Sequence, residues 1–203
     1  MLDTLVEPVQ LADFVPLAER ATASDPDALI RFRAAEHAVA GFVRLPYDVL
    51  AGRTLSAGPV AAFDITVAAA DFLHWVEQSG PVPARRDAHW LSALPPWRGW
   101  RRVDVVPDSV VRDLVRSGAE LAPGATSRQS QESLLASVVL TAADGASPEV
   151  EVRLGALTAL TRMGFLPRDG QAAIDTAPGW VRVAAAYGST YLSDGNPLGL
   201  LAL

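Results

Sequence analysis

The chain contains no cysteine and no lysine, although it carries seventeen arginines. Without thiols, no disulfide, cysteine zinc site or iron–sulfur cluster can staple a fold, so buried apolar side chains must hold whatever structure forms. Half of the 203 residues are hydrophobic and 20% are charged, enough to bury a core of ordinary size in one domain or two small ones. The missing amine also removes chemistry: a P-loop, a pyridoxal or Schiff-base enzyme and a protein kinase each need a lysine. Asparagine occurs only at Asn196 while alanine, valine and arginine abound, the composition expected of a GC-rich bacterial genome.

A net charge of -6 and a pI near 5.0 argue against a general polyanion partner, whether nucleic acid or an anionic membrane surface. The opening residues, Met1-Leu-Asp-Thr-Leu-Val-Glu-Pro8, place acids where a secretory signal carries positive charge, and no apolar run reaches the roughly 18 residues of a membrane span. These observations predict a cytoplasmic protein with no membrane association and weigh against a nucleic-acid partner, although a local basic patch could override the overall field.

Residues 1–27, interrupted by Pro8 and Pro16, read as an arm or short helix. From Ala28 the period becomes two: Ile30, Phe32 and Ala34 alternate with Arg31, Arg33 and Ala35, the pattern of a half-buried strand. A second strand is predicted over 38–45, with Gly41 at a bulge or close approach, and a third over 49–55, making an antiparallel meander. The stretch 61–77 spaces Ile65, Ala69, Phe72 and Val76 for a helix packed on that sheet, although Phe63–Val67 could open it as a strand. Residues 79–100, with Pro81, Pro83, Pro95, Pro96, Gly80 and Gly99, form a long ordered loop or a domain boundary.

Beyond a short strand at 100–106, helices are predicted from Pro107 to Gly118, over 130–142 (where Val138, Val139 and Leu140 also suit a strand) and over 153–163. Runs at 172–175 and 180–187 then form a hairpin around Thr176-Ala-Pro-Gly179. Three helices followed by a hairpin resemble a winged-helix arrangement, in element order alone. The predicted fold class is therefore α+β: an N-terminal antiparallel sheet with a packed helix over 1–99, and a helical half over 100–203 closing with the hairpin and an apolar tail, as two halves or as one compact domain. The third helix offers only Arg153 and Arg162 among leucine, alanine and threonine, a poor DNA reader.

Chemistry concentrates between His74 and Arg102, which hold four of the five tryptophans. Trp90, Trp97, Arg98, Trp100, Arg101 and Arg102 interleave indole planes with guanidinium groups, a pattern able to stack on a planar ligand or capture an acidic partner. The same residues could instead plug the loop into the core. Asp71 and His74, one helical turn apart, could meet Asp87 and His89 in an acid/base or two-histidine metal site, but an outward polar face is the simpler expectation, so neither metal nor cofactor is predicted. Glu36-His37 reads as a strand-end pair, and Ser117 and Ser189 as turn hydroxyls beside glycine. No Gly-x-Ser-x-Gly, Gly-x-Gly-x-x-Gly or His-Glu-x-x-His motif occurs. The uncharged tail Asn196–Leu203 would fold over the C-terminal apolar face or dock on a partner or second copy.

The leading expectation is a non-enzymatic protein-binding or regulatory module that uses segment 90–102 to engage another protein or itself. The alternatives are a small enzyme or binder of an anionic or aromatic molecule, and a winged-helix DNA-binding regulator.

Overall fold

A computed structural model describes residues 11–46, 48–143 and 149–193. The chain divides into two compact units, Met1–Leu45 with Leu50–Ser92, and Pro46–Val49 with Ala93–Leu203.

In the first unit, helix α1 (Val15–Ser24) starts with Pro16 in its first turn, where a missing N–H costs nothing, and buries Leu17, Ala18 and Ala21 on one face. Strands β1 (Leu29–Ala35), β2 (Ala38–Leu45), β3 (Val49–Ser56) and β4 (Phe63–Ala68) lie in the order β4-β1-β2-β3. β1 pairs antiparallel with β2 and β4, with Phe32 opposite Gly41 on one side and Ile65 on the other. Helix α2 (Ala69–Gln78) packs against α1 and buries Ala69 and Phe72. The core centres on Phe32, whose ring centroid lies 5.3 Å from Phe14 and 5.0 Å from Phe72. Gly41 lets Phe14 approach, since a Cβ there would stand 2.7 Å from that ring. The stretch 61–77 is thus strand then helix: β-branched Ile65, Thr66 and Val67 hold the extended half, and the turn into α2 comes at Ala68.

In the second unit, β5 (Arg101–Pro107) leads into α3 (Asp108–Leu121). Next come α4 (Arg128–Ala136), β6 (Val138–Ala142), β7 (Val150–Arg153), α5 (Leu154–Arg162), β8 (Gln171–Ala177), β9 (Trp180–Ala185) and β10 (Gly188–Ser193). β6 and β7 form a separate antiparallel pair, while β10-β9-β8-β5 follow one another in this unit's larger sheet. Helix α5, with Leu154, Ala156, Leu157 and Leu160 buried, packs on β9 and β10, and α3 packs on α5.

The winged-helix order is overturned. The predicted 172–187 hairpin is not a free wing: β10 extends it on one side and β5, far earlier in the chain, pairs with β8 on the other. The predicted second helix stops at Ala136, and the β-branched run after it forms β6. The third helix is held by the core, with Leu154, Gly155, Ala156, Leu157, Ala159 and Leu160 buried. The tail Asn196–Leu203, the N-terminal residues 1–10 and the Asp144–Pro148 loop lie outside the described residues.

Candidate functional site

Two adjacent transverse rows of the second unit's sheet carry opposite characters. The Pro178-Gly179 turn, with Gly179 at φ 74°, pairs Ala177 with Trp180 and so fixes every pairing behind it. One row runs Arg102–Asp175–Arg182–Tyr191 across β5, β8, β9 and β10, and the next runs Arg101–Thr176–Val181–Leu192. Side chains alternate faces along a strand, so one residue of offset places the two rows on opposite faces.

The first row is a charge cluster. Asp175 is 2% exposed, and a carboxylate so buried demands partners. Arg182 donates to its Oδ2 from Nε (3.0 Å) and Nη2 (2.7 Å), and Arg102 Nε donates to its Oδ1 at 3.1 Å. A register irregularity between Arg102 and Asp104 lies where Arg102 meets Asp175. The Trp100 ring lies 4.4 Å from the Arg182 guanidinium and 5.9 Å from Tyr191, and its Nε1 donates to the Pro96 carbonyl at 3.0 Å.

The second row floors a cleft of about 740 Å³. Val181 and Leu192 give it an apolar base, Glu149, Glu151 and Arg153 stand along the β7 side, the Ala177–Gly179 turn closes one end, and Gly99 and Arg101 bring in the tryptophan-arginine segment. Arginines and glutamates face the same space, so the rim is polar with both signs above the apolar Val181 and Leu192.

Structure separates the residues that sequence grouped. Trp90 belongs to the first unit and is 8% exposed, its Nε1 donating to the Ser92 carbonyl at 2.7 Å and its ring 5.9 Å from the Arg31 guanidinium. Trp97 and Trp100 are half-buried, while Arg98, Arg101 and Arg102 are exposed. Within the segment, only Gly99 and Arg101 line the cleft.

Asp71, His74 and Asp87 are each engaged by near neighbours, and His89 is exposed at the end of the turn Asp87–His89. His74 Nδ1 lies 3.0 Å from Gln78 Oε1, and Asp71 faces Arg86 at 3.9 Å. Asp87 accepts the Thr66 amide on Oδ1 and Arg85 Nε on Oδ2, both at 2.7 Å. Among the described residues no group of three or more such side chains is placed to share an ion. Glu36 sits in the β1–β2 turn at φ 53°, and Ser189 lies on β10.

Sequence reading missed the Asp175 cluster. The signal was available: a lone carboxylate inside the apolar run Ala172-Ala-Ile-Asp-Thr-Ala177, which counting back from the turn pairs with Arg182.

Solved structures similar to this chain include DNA polymerase sliding clamps. The clamp from Bacillus subtilis matches with a TM-score of 0.59 at 17% identity, covering 94% of this chain and 64% of that one. The clamp from Pseudomonas aeruginosa gives 0.57 at 12% (91% and 63%), and the DNA polymerase beta subunit of Streptococcus pyogenes 0.57 at 14% (89% and 62%). The chain therefore spans less than two thirds of the structures it matches, and the likeness is one of fold. Residues 95–197 match the family described as Domain of unknown function (DUF8185), and the chain belongs to that family; residues 4–99 match a second, Domain of unknown function (DUF8010). No curated protein matches the chain. Among the described residues no helix is long and apolar enough to cross a membrane.

Proposed function

We propose that this chain is a protein-binding module, and that the cleft of the second unit receives a short extended segment of another protein. The observation that carries this reading is the cleft itself: an apolar floor of Val181 and Leu192 beneath a rim that holds Arg101, Arg153, Glu149 and Glu151. Such a rim suits a chain that presents main-chain polar groups and charges of both signs, with an apolar side chain turned to the floor. A small anion would meet the two glutamates as well as the arginines, which disfavours the ligand-binder alternative. The clamp-like fold supports the same reading coarsely, since the similar structures include a DNA polymerase III subunit beta, a component of a larger assembly.

Segment 90–102 contributes to binding through Arg101, while Trp100 and Arg102 hold the sheet beneath it. Nucleic acid is disfavoured as a partner. Along the described helices Arg20, Arg112, Arg116, Arg128 and Arg162 are outnumbered by carboxylates, and Arg112 and Arg128 are tied to Asp108 and Glu132.

A photo-crosslinking amino acid placed at Glu151 in cells tests the proposal, with Glu120 on α3 as the control position. The expected result is a discrete protein adduct from position 151 that is absent from 120 and lost when Val181→Arg fills the floor. No protein adduct, or the same adduct from both positions, overturns it. A small molecule retained at constant mass on the purified protein would instead favour the ligand-binder alternative.

A further inference from the structure

Among the described residues, strands β4 and β5 each have a sheet neighbour on one side only, β1 for the former and β8 for the latter. An outer edge of this kind offers unpaired N–H and C=O groups to any incoming strand, including one from a second copy. We infer that both edges are sealed by the chain's own atoms, so that copies of this protein do not join by strand addition across β4 or β5. Partners must therefore engage elsewhere than along these two edges, as at the cleft, which is built from other residues.

On β4 the seal is a loop. Thr66 turns its main chain outward, where its amide donates to Asp87 Oδ1 at 2.7 Å and its carbonyl accepts the Arg86 amide at 2.7 Å. One pleat earlier, the Asp64 carbonyl accepts Arg85 Nη2 at 3.3 Å. Residues 85–87 thus occupy, with one main-chain and two side-chain bonds, positions that an added strand would need. Beyond Ala68 the strand turns into α2.

On β5 the seal lies within the strand. The Ala177–Trp180 turn directs the ladder bonds of Ala177, Asp175 and Ala173 to β9, which leaves those of Thr176, Ile174 and Ala172 for β5. Their opposite residues are Arg101, Asp104 and Val106, so Val105 and Pro107 face outward. The Val105 amide is taken by Asp104 Oδ1 at 2.7 Å, Pro107 has no amide to give, and the irregularity at Arg102–Asp104 breaks the repeat before them. An incoming strand therefore finds no run of donors. The seal also explains how Val105, an exposed aliphatic on a sheet edge, is tolerated.

Hydrogen exchange on the full chain, compared at roughly 5 and 500 µM, tests the inference together with a sealed-edge variant. Amide exchange across β4 and β5 is expected to be independent of concentration. Asp104→Val with Pro107→Val, which restores donors at 105 and 107, is expected to self-associate at least about tenfold more tightly, with new protection on β5. Protection of β4 or β5 in the unaltered protein that grows with concentration overturns the inference. So does a folded variant, judged by an unchanged near-ultraviolet spectrum, that associates no more than the parent. Should the variant fail to fold, the exchange of the unaltered protein decides alone. Loss of the Glu151 crosslink would leave this result untouched, because the cleft is not involved.

Discussion

Arg182 lies over Trp100, its guanidinium carbon 4.4 Å from the ring centroid, while two of its nitrogens hold the carboxylate of Asp175. One side chain thereby ties the end of the tryptophan-arginine segment to the centre of the second unit's sheet. The stacked ring covers a guanidinium that already has its charge partner, a geometry that holds both nitrogens on the single Oδ2 oxygen.

Asp175→Ala is expected to cost about 3 kcal/mol, because removing the carboxylate leaves Arg182 unpaired where its side chain is only 24% exposed. Arg102→Ala should cost less than about 1 kcal/mol, since that arginine is 60% exposed and water can replace it. Paired urea melts separate the two, and equal losses would show that Asp175 does not depend chiefly on Arg182.

The tryptophans should differ in the same way. Trp90→Ala removes a buried indole and is expected to destabilise by about 3–5 kcal/mol. Trp100→Ala removes a half-buried ring and its contacts with Arg182 and Tyr191, about 1–2 kcal/mol. If both variants melt with the parent, the segment is not anchored as described.

Gly41→Val tests the close approach in the first core. The new Cβ would fall 2.7 Å from the Phe14 ring and 3.2 Å from Phe32, both buried, so relief requires shifting the aromatic cluster. A loss of about 1–3 kcal/mol is expected. Gly58→Ala, with nothing within 4 Å of its Cβ, should be near neutral and serves as the control.

What was legible in the sequence was local. The alternation of Ile30, Phe32 and Ala34, the need for glycine at position 41 and the Pro178-Gly179 turn each follow from a few neighbouring residues, and each marks a feature of the structure. The partnership of β5 with β8 was not legible: no period or turn in the intervening helices says which strand lies beside which, and reading the last hairpin as free produced the winged-helix error. The cleft was illegible for the same reason, because it gathers Arg101, Thr176, Val181 and Leu192 from four strands. His74 and Asp87, conspicuous by residue type, are spent on Gln78 and on Thr66 and Arg85.

Arg31 grips Asp64 through Nε at 2.6 Å and Nη2 at 2.7 Å. Those hydrogen bonds raise the guanidinium pKa, against the opposing effect of partial burial, with the Asp64 and Asp87 charges adding to the rise. A raised folded-state pKa gives stability that is complete below the unfolded value and fades only as pH climbs through the folded one. Both lie in the strongly alkaline range, so the stability difference between the parent and Arg31→Gln should be flat from about pH 6 to about pH 10 as far as the arginine titrates. With side chains 26% and 44% exposed, the pair should be worth less than about 1 kcal/mol and weaken in high salt. A difference that moved through neutral pH would point to another titrating group.

Duplex DNA provides the last discrimination, because the fold is shared with DNA polymerase sliding clamps while the charge is this chain's own. Binding that rests on phosphate contacts is strongest at low salt and falls steeply as salt rises, one counterion released per contact. Here the net charge is -6, the helices carry more carboxylates than arginines, and both arginines of the first transverse row are committed to Asp175. A mobility-shift titration with a linear duplex at about 20 mM salt, where electrostatic attraction is least screened, should therefore show no complex. A complex that weakens with salt would mean that exposed arginines such as Arg98 and Arg101 form a local basic surface strong enough to override the overall field, and the proposed choice of a protein partner over nucleic acid would then be wrong.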